Sequence, residues 1–178
     1  MTMKKLIDVD EFRELLKGKS PIVFGGYSGL GYENPEALRD EVRKTLENLK
    51  LRYGDRLIVV SGATSVGIGL VYEIASELGL PTLGVVSDRV NPGDISPFCD
   101  NVLLVSDPAG TWEVKTKSGD SYMVEAARKG EMIYFGGGQV AASEILEARD
   151  KGIAATVLSS FMPDPEKVRL KAKQQEKS

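Results

Sequence analysis

The chain has 178 residues, 42% of them hydrophobic, so it is long enough to bury one full core. Its formal net charge of −3 and its pI of about 5.2 exclude a general attraction to nucleic acid or to anionic membranes. The absence of histidine excludes Ser-His-Asp and Cys-His catalysis and the usual zinc sites. We expect no metal and no cofactor.

Helical and strand patterns alternate along the chain, with Asn34 and Pro35 forming a strong helix start. We predict, in chain order, a helix at 9–16, a strand at 21–24, a helix at 35–51, a strand at 57–60, a helix at 66–78, strands at 82–86 and 101–105, a helix at 121–129, a strand at 132–135, a helix from 140 that ends at Gly152, and a strand at 153–158. Residues 106–120 form a polar excursion that is a hairpin, a lid or an irregular loop.

This alternation predicts an α/β fold: a Rossmann-like three-layer sandwich with a mostly parallel central sheet and helices on both faces. We expect a single nucleotide-binding domain over residues 1–162. A charged C-terminal tail follows at 163–178 and is either a solvated helix or frayed.

Three of the predicted strands end in glycine-rich turns, at 25–31, 61–67 and 136–139. Glycine lets a ligand approach the backbone, and a helix that starts after such a turn can hold a phosphate. Each turn alone is equally typical of an ordinary α/β protein, but three turns at one sheet edge favour a nucleotide-like pocket. The candidate ligand-binding residues are Gly25, Gly26, Ser28, Gly62, Thr64, Ser65, Gly67, Gly136, Gly137, Gly138 and Gln139.

Other polar or reactive residues carry weaker signals. Asp88 or Arg89 either reaches a ribose or phosphate or lies in a solvated loop, and Tyr27 and Tyr32 either stack on a base or pack. Cys99 is the only cysteine, which fits a reducing compartment, so we expect a cytoplasmic protein. The first residues lack the pattern of a secretory signal. With no histidine to activate it, Cys99 is expected to be a small buried residue.

Three segments resemble those of a known family. VFGGYSG followed by Asn34-Pro35, then SGATSVGIGLVYEIASELGLPTLGVVSD, then GGGQVAASE are similar in order and spacing to segments of the LOG family. These are cytokinin-activating nucleotide phosphoribohydrolases, long misnamed lysine decarboxylases, within the SLOG group of Rossmann-like domains. The resemblance covers about residues 22–158. It implies a small-molecule nucleotide ligand, no nucleic acid or membrane partner, and is consistent with a homodimer.

The family signature, PGGxGTxxE, aligns with residues 136–144. The resemblance implies that Gly137, Gly138 and Gln139 surround the nucleotide phosphate and that Glu144 is the catalytic glutamate. The sequence departs from the signature at its proline, third glycine and threonine, which are Gly136, Val140 and Ala141 here. It also departs in the helix before the signature strand, where the family has an arginine and this chain has Asp120, Ser121 and Tyr122, with Arg128 nearby.

Two functions therefore remain as hypotheses. The first is binding of a nucleotide or nucleotide-derived molecule without chemistry, in which case Glu144 is a surface residue near the positive end of its helix. The alternative is hydrolysis of the N-glycosidic bond of a nucleoside 5'-monophosphate to base and ribose 5-phosphate, with Glu144 as the essential carboxylate. An NAD-dependent oxidoreductase is less favoured, because no GxGxxG opens the first helix and Ser61 ends the second strand where an acidic residue is expected.

Overall fold

The strands form one parallel sheet in a computed structural model that describes residues 5–176. Within this range they are β1 (Lys5–Ile7), β2 (Ser20–Gly26), β3 (Leu57–Ser61), β4 (Thr82–Ser87), β5 (Asn101–Val105), β6 (Glu131–Phe135) and β7 (Ala155–Val157). Their order is β1-β5-β4-β3-β2-β6-β7, and every neighbouring pair is parallel. The prediction of a parallel central sheet is confirmed.

Helices cover both faces of this sheet. They are α1 (Val9–Leu16), α2 (Pro35–Tyr53), α3 (Leu70–Glu77), α4 (Tyr122–Ala126), α5 (Gln139–Asp150) and α6 (Pro165–Glu176). Helices α2 and α3 bury their apolar residues on one face, which we call the first core, whereas α1, α4 and α5 bury theirs on the other, the second core. The result is the three-layer Rossmann-like fold that the sequence predicts.

The central strands are apolar along their length because both of their faces are covered. In β2, Ile22 and Phe24 point into the first core and Val23 into the second, and all three are fully buried. Helix starts also follow the sequence signals. The side chain of Asn34 accepts a hydrogen bond from the N–H of Ala37 at 3.1 Å and caps α2. Local chemistry therefore accounts for the sheet and for this helix start.

The observed elements differ from the predicted ones mainly at their edges. Strand β1 was not predicted, because it has three residues and only Ile7 among them is buried. Strand β7 is shorter than predicted and pairs on one side only. Helix α3 begins after a 3-10 turn at Gly67–Gly69, and α4 continues into a 3-10 turn at Ala127–Lys129. Differences of one or two residues and short 3-10 turns are usual at the ends of regular elements.

The charged tail forms helix α6, and no residue of this helix is buried. This supports the solvated-helix alternative for the part of the tail that the structure describes. The described range leaves out residues 177 and 178, which belong to the predicted tail. It also leaves out residues 1–4, which belong to the predicted domain and to the start of the chain, where no secretory signal is expected. Within residues 5–176, none of the helices is both long and apolar enough to cross a membrane.

Candidate functional site

The neighbouring strands β2 and β6 mark the point where the chain reverses its direction across the sheet. From β2 the chain builds outward through β3, β4 and β5, and it then returns to place β6 on the other side of β2. The loop after β2 leads to α2 on the first-core face, whereas the loop after β6 leads to α5 on the second-core face. Loops that leave adjacent strands toward opposite faces open a crevice between them, where ligands bind in folds of this class.

The three glycine-rich loops follow β3, β2 and β6, which are consecutive in the sheet, so they meet at this edge. The N–H of Ile68 donates to the carbonyl oxygen of Tyr27 at 2.8 Å and joins the first two loops. The hydroxyl of Tyr32 accepts from the N–H of Tyr27 at 2.9 Å and donates to the carbonyl oxygen of Phe135 at 2.6 Å. Tyr32 thereby links the loop after β2 to the end of β6. The three loops form one hydrogen-bonded frame.

Close packing within this frame explains most of the predicted glycines. A Cβ on Gly67 would overlap the carbonyl oxygen of Tyr27, and the φ of +68° at this residue is unfavourable for any other side chain. A Cβ on Gly25 would overlap the ring of Tyr134. The same kind of overlap affects Gly26, Gly136 and Gly137. These positions need glycine whether or not a ligand binds.

The start of α5 is open. Gly138 is the N-cap, a Cβ built on it would meet nothing within 4 Å, and no side chain caps the helix. The N–H of Ala142 donates to the carbonyl oxygen of Gly138, so the N–H groups of Gln139, Val140 and Ala141 have no earlier helix carbonyl to bind. Three free donors at the positive end of a helix dipole suit an anion such as a phosphate.

The hydroxyl residues predicted to contact a ligand lie on the same edge. Ser28 and Ser65 are exposed, and Thr64 is half-buried. Ser65 is held by the carbonyl oxygen of Asp94, which accepts from its N–H at 3.0 Å. Gly62 has room beside it, since a Cβ there would meet only a carbonyl oxygen at 3.8 Å. The structure thus brings these candidates to one edge, and their role as ligand contacts stays a prediction.

Glu144 lies half-buried on α5 and is bound to β6. Its Oε1 accepts a hydrogen bond from the hydroxyl of Tyr134 at 2.6 Å. Burial raises the pKa of Glu144 to about 7; the Tyr134 hydrogen bond opposes this rise, whereas the charges of Glu147 and Glu113 add to it. Burial also raises the pKa of the Tyr134 hydroxyl well above its usual value. Near neutral pH, Glu144 is therefore a carboxyl group that can gain or lose a proton.

A small cleft holds Glu144, and we call it the Glu144 cleft. It encloses about 70 Å³ and is lined by Glu113, Val114, Lys115, Ser121, Val140, Ser143, Glu144 and Glu147. One wall is a hairpin-like turn in which the backbones of Lys115 and Ser121 form an antiparallel bridge. Of the three alternatives for residues 106–120, this part of the segment therefore adopts the hairpin. The N–H of Ser121 donates to Glu147 at 3.1 Å and ties the turn to α5.

Sequence reasoning missed Tyr134 as a partner of Glu144. The pattern of residues 132–135 indicates only a buried strand, and the one signal is the hydroxyl group of Tyr134 in an otherwise apolar run, ten residues before Glu144. The arginine expected from the LOG resemblance has no equivalent in the Glu144 cleft. Arg128 lines a separate cleft, which it shares with Arg13 and Lys151.

Asp88 and Arg89 support the turn that follows β5. Asp88 accepts from the N–H of Asp107 at 3.2 Å, and Arg89 donates from Nε to the carbonyl oxygen of Asp107 at 2.7 Å. The alternative that they reach a ribose or phosphate is therefore not supported by their contacts. Cys99 is buried, as expected. In residues 5–176 no group of acidic or cysteine side chains is arranged to hold a metal ion.

Comparisons with known proteins give matches among solved structures only, since no protein-family model and no curated protein matches the chain. The molybdenum cofactor carrier protein from Chlamydomonas reinhardtii matches 88% of this chain and 84% of its own, with a TM-score of 0.59 and 18% identity. A protein named TM1055 matches over 76% and 72%, with a TM-score of 0.53 and 21% identity. The chain shares their fold. At such identities the likeness extends to the fold alone, because one fold hosts many functions.

Proposed function

We propose that the protein binds a nucleotide or a nucleotide-derived small molecule at the carboxyl edge of the sheet, with its phosphate at the start of α5. The observation that carries this proposal is the uncapped first turn of α5 beside Gly138, at the point where the chain reverses across the sheet. A phosphate there accepts hydrogen bonds from N–H groups that otherwise lack a partner within the helix. Gly137, Gly138 and Gln139 surround it, as the resemblance to the LOG signature implies.

The surroundings of Glu144 favour binding over hydrolysis. One oxygen of its carboxylate already accepts a hydrogen bond from the Tyr134 hydroxyl at 2.6 Å, which reduces its availability to act on a sugar or a water. Ala141 supplies no hydroxyl where the family signature has threonine, and Arg128 lies in a different cleft. One fold neighbour is described as a carrier of the molybdenum cofactor, so carriage of a small molecule is compatible with this fold.

The proposed phosphate site is tested by the pair Gly138→Asp and Gly138→Asn. Both side chains fit, because the backbone at Gly138 is extended and a Cβ there has free space, and both can cap α5. We expect both variants to unfold at a higher temperature than the wild type. The aspartate variant places a carboxylate where the phosphate binds, so Gly138→Asp should weaken binding of nucleoside monophosphates by at least about tenfold in calorimetric titration.

The neutral Gly138→Asn variant is the control and should retain much more of the affinity. Equal affinities of the two variants for every nucleoside monophosphate would contradict a phosphate at this helix start. Failure of the wild type to bind any member of a purine and pyrimidine panel would contradict the proposed function itself.

Hydrolysis of a nucleoside monophosphate is the second candidate, and the carboxyl pKa of about 7 at Glu144 favours it. Incubation of the wild type with the same panel, with free base separated by chromatography, tests it directly. Base release that disappears in Glu144→Gln would establish the hydrolase. If the folded wild type binds nucleotide but releases no free base, hydrolysis is excluded and binding is the function.

A further inference from the structure

Trp112 is the one non-glycine residue in the described range with a left-handed backbone, at φ +65°. A bulky side chain is unfavourable in this conformation, so the surrounding structure must hold it there. The residue is also the only tryptophan of the chain, and it remains 49% exposed. A large aromatic ring is thus kept in solvent at a conformational cost.

The conformation is held by Asp107. Its buried carboxylate accepts from the N–H of Trp112 at 2.9 Å, from the N–H of Thr111 at 3.0 Å and from the hydroxyl of Ser87 at 2.7 Å. Arg89 fastens the same turn from outside, through the carbonyl oxygen of Asp107. These hydrogen bonds hold the backbone of Trp112 in its left-handed conformation.

The turn that carries Trp112 lies at the same sheet edge as the proposed ligand site. The chain leaves the carboxyl end of β5 at residue 106 and joins the wall of the Glu144 cleft at Glu113. Residues 107–112 close a turn at the carboxyl ends of β4 and β5, because the N–H of Gly110 donates to the carbonyl oxygen of Asp107 at 3.2 Å. The next residue, Glu113, lines the Glu144 cleft together with Val140 of α5. Trp112 directly precedes the first residue that lines the cleft, and buried Val114 anchors the chain just after it.

Within residues 5–176 no aromatic ring and no cation is stacked on the ring of Trp112, although neighbouring residues cover about half of the side chain. The aromatic pairs there involve phenylalanine and tyrosine, and the indole N–H makes no hydrogen bond. We propose that Trp112 is a stacking platform for a planar heteroaromatic ring, such as a nucleobase, of the ligand whose phosphate binds at the start of α5. The inference rests on the proposed function and adds to it the residue that recognises the ring. Stacking is attractive for any base, because every base presents a π-face.

The pair Trp112→Gly and Trp112→Phe tests this inference. Glycine removes the ring and relieves the left-handed backbone, so this variant should fold at least as stably as the wild type. Phenylalanine keeps an aromatic ring at the same backbone. We expect adenosine 5'-monophosphate to quench the single-tryptophan fluorescence of the wild type. In calorimetric titration, Trp112→Gly should bind this nucleotide about tenfold more weakly, and Trp112→Phe within about threefold of the wild type.

Two probes, one with the phosphate but no ring and one with the ring but no phosphate, separate this inference from the proposed phosphate site. Ribose 5-phosphate has no ring, so its affinity should be the same for the wild type and Trp112→Gly. Adenosine has the ring without the phosphate, and it should quench Trp112 at millimolar concentration even if no phosphate binds at α5. Unchanged nucleotide affinity in Trp112→Gly, or adenosine that neither quenches nor binds the wild type, would overturn the stacking site.

Discussion

The glycine-rich loops and the polar turn after β5 occupy the same sheet edge but are built by different means. The loops are joined through backbone groups and Tyr32, and most of their glycines leave no room for a Cβ because a neighbouring loop, strand β6 or the first turn of α5 lies against them. The turn after β5 is organised by one buried carboxylate, Asp107, and it presents an exposed aromatic ring. Glycine richness therefore reports how closely loops pack, whereas the groups that can recognise a ligand lie partly elsewhere.

The largest effect is expected where the loops touch, at Gly67→Ala. The added Cβ would overlap the Tyr27 carbonyl oxygen, and alanine disfavours the φ of +68°. We expect the free energy of unfolding to fall by about 3 to 5 kcal/mol in urea titrations followed by circular dichroism. Gly62→Ala is the matched control and should cost less than about 1 kcal/mol, since its Cβ has room. Similar costs for both variants would mean that loop contact does not explain Gly67.

Next in size is the pH dependence contributed by Glu144. Its folded pKa of about 7 lies above the ordinary value of 4.5, so the folded state binds the proton more tightly than the unfolded state. The free energy of unfolding should consequently fall as the pH rises from about 4.5 to 7, by about 3 kcal/mol in all. Glu144→Gln keeps an acceptor for Tyr134 and should remove this slope.

Urea titrations at pH 5 and pH 8 measure the slope, with Glu33→Gln at an exposed position as the control that retains it. The wild type and Glu144→Gln should have similar stability at the acidic end, with the variant more stable at pH 8. Parallel pH profiles for the two proteins would show that Glu144 titrates as an ordinary surface carboxyl.

A smaller loss of stability is expected for Asp107→Ala, which removes the carboxylate that holds the turn after β5. The change frees the hydroxyl of Ser87 and the N–H of Trp112, and we expect the unfolding temperature to fall by several degrees. Asp107→Asn keeps one acceptor oxygen and should lose less. Hydrogen bonds lower the pKa of the Asp107 carboxyl group, and the bond from the Ser87 hydroxyl is the main cause. The carboxylate therefore stabilises the folded state above its ordinary pKa of 3.8, and this stabilisation is lost as the pH falls below that value.

Calorimetric scans at pH 7 and pH 3 check this prediction. The difference in unfolding temperature between the wild type and Asp107→Ala should narrow at pH 3. An unchanged unfolding temperature in Asp107→Ala would mean that this carboxylate does not stabilise the turn.

Much of the fold could be predicted because its signals are local. The apolar run of β5 and the capped start of α2 appear in the structure where the sequence indicates them. Strand β1 escaped prediction because its three residues are stabilised by pairing with β5 rather than by their own pattern. The convergence of the three glycine loops also followed from the parallel sheet, since the carboxyl ends of parallel strands share one edge.

By itself, the sequence determined the α/β class, the order of the elements after β1 and the candidate residues of the site, because caps, apolar runs and turns depend on neighbours along the chain. Tertiary structure alone decided that β6 lies beside β2, that Tyr134 binds Glu144 and that Trp112 stands exposed on a turn held by Asp107. Those outcomes depend on groups distant in sequence, whose proximity is set only when the sheet assembles and buries its two cores.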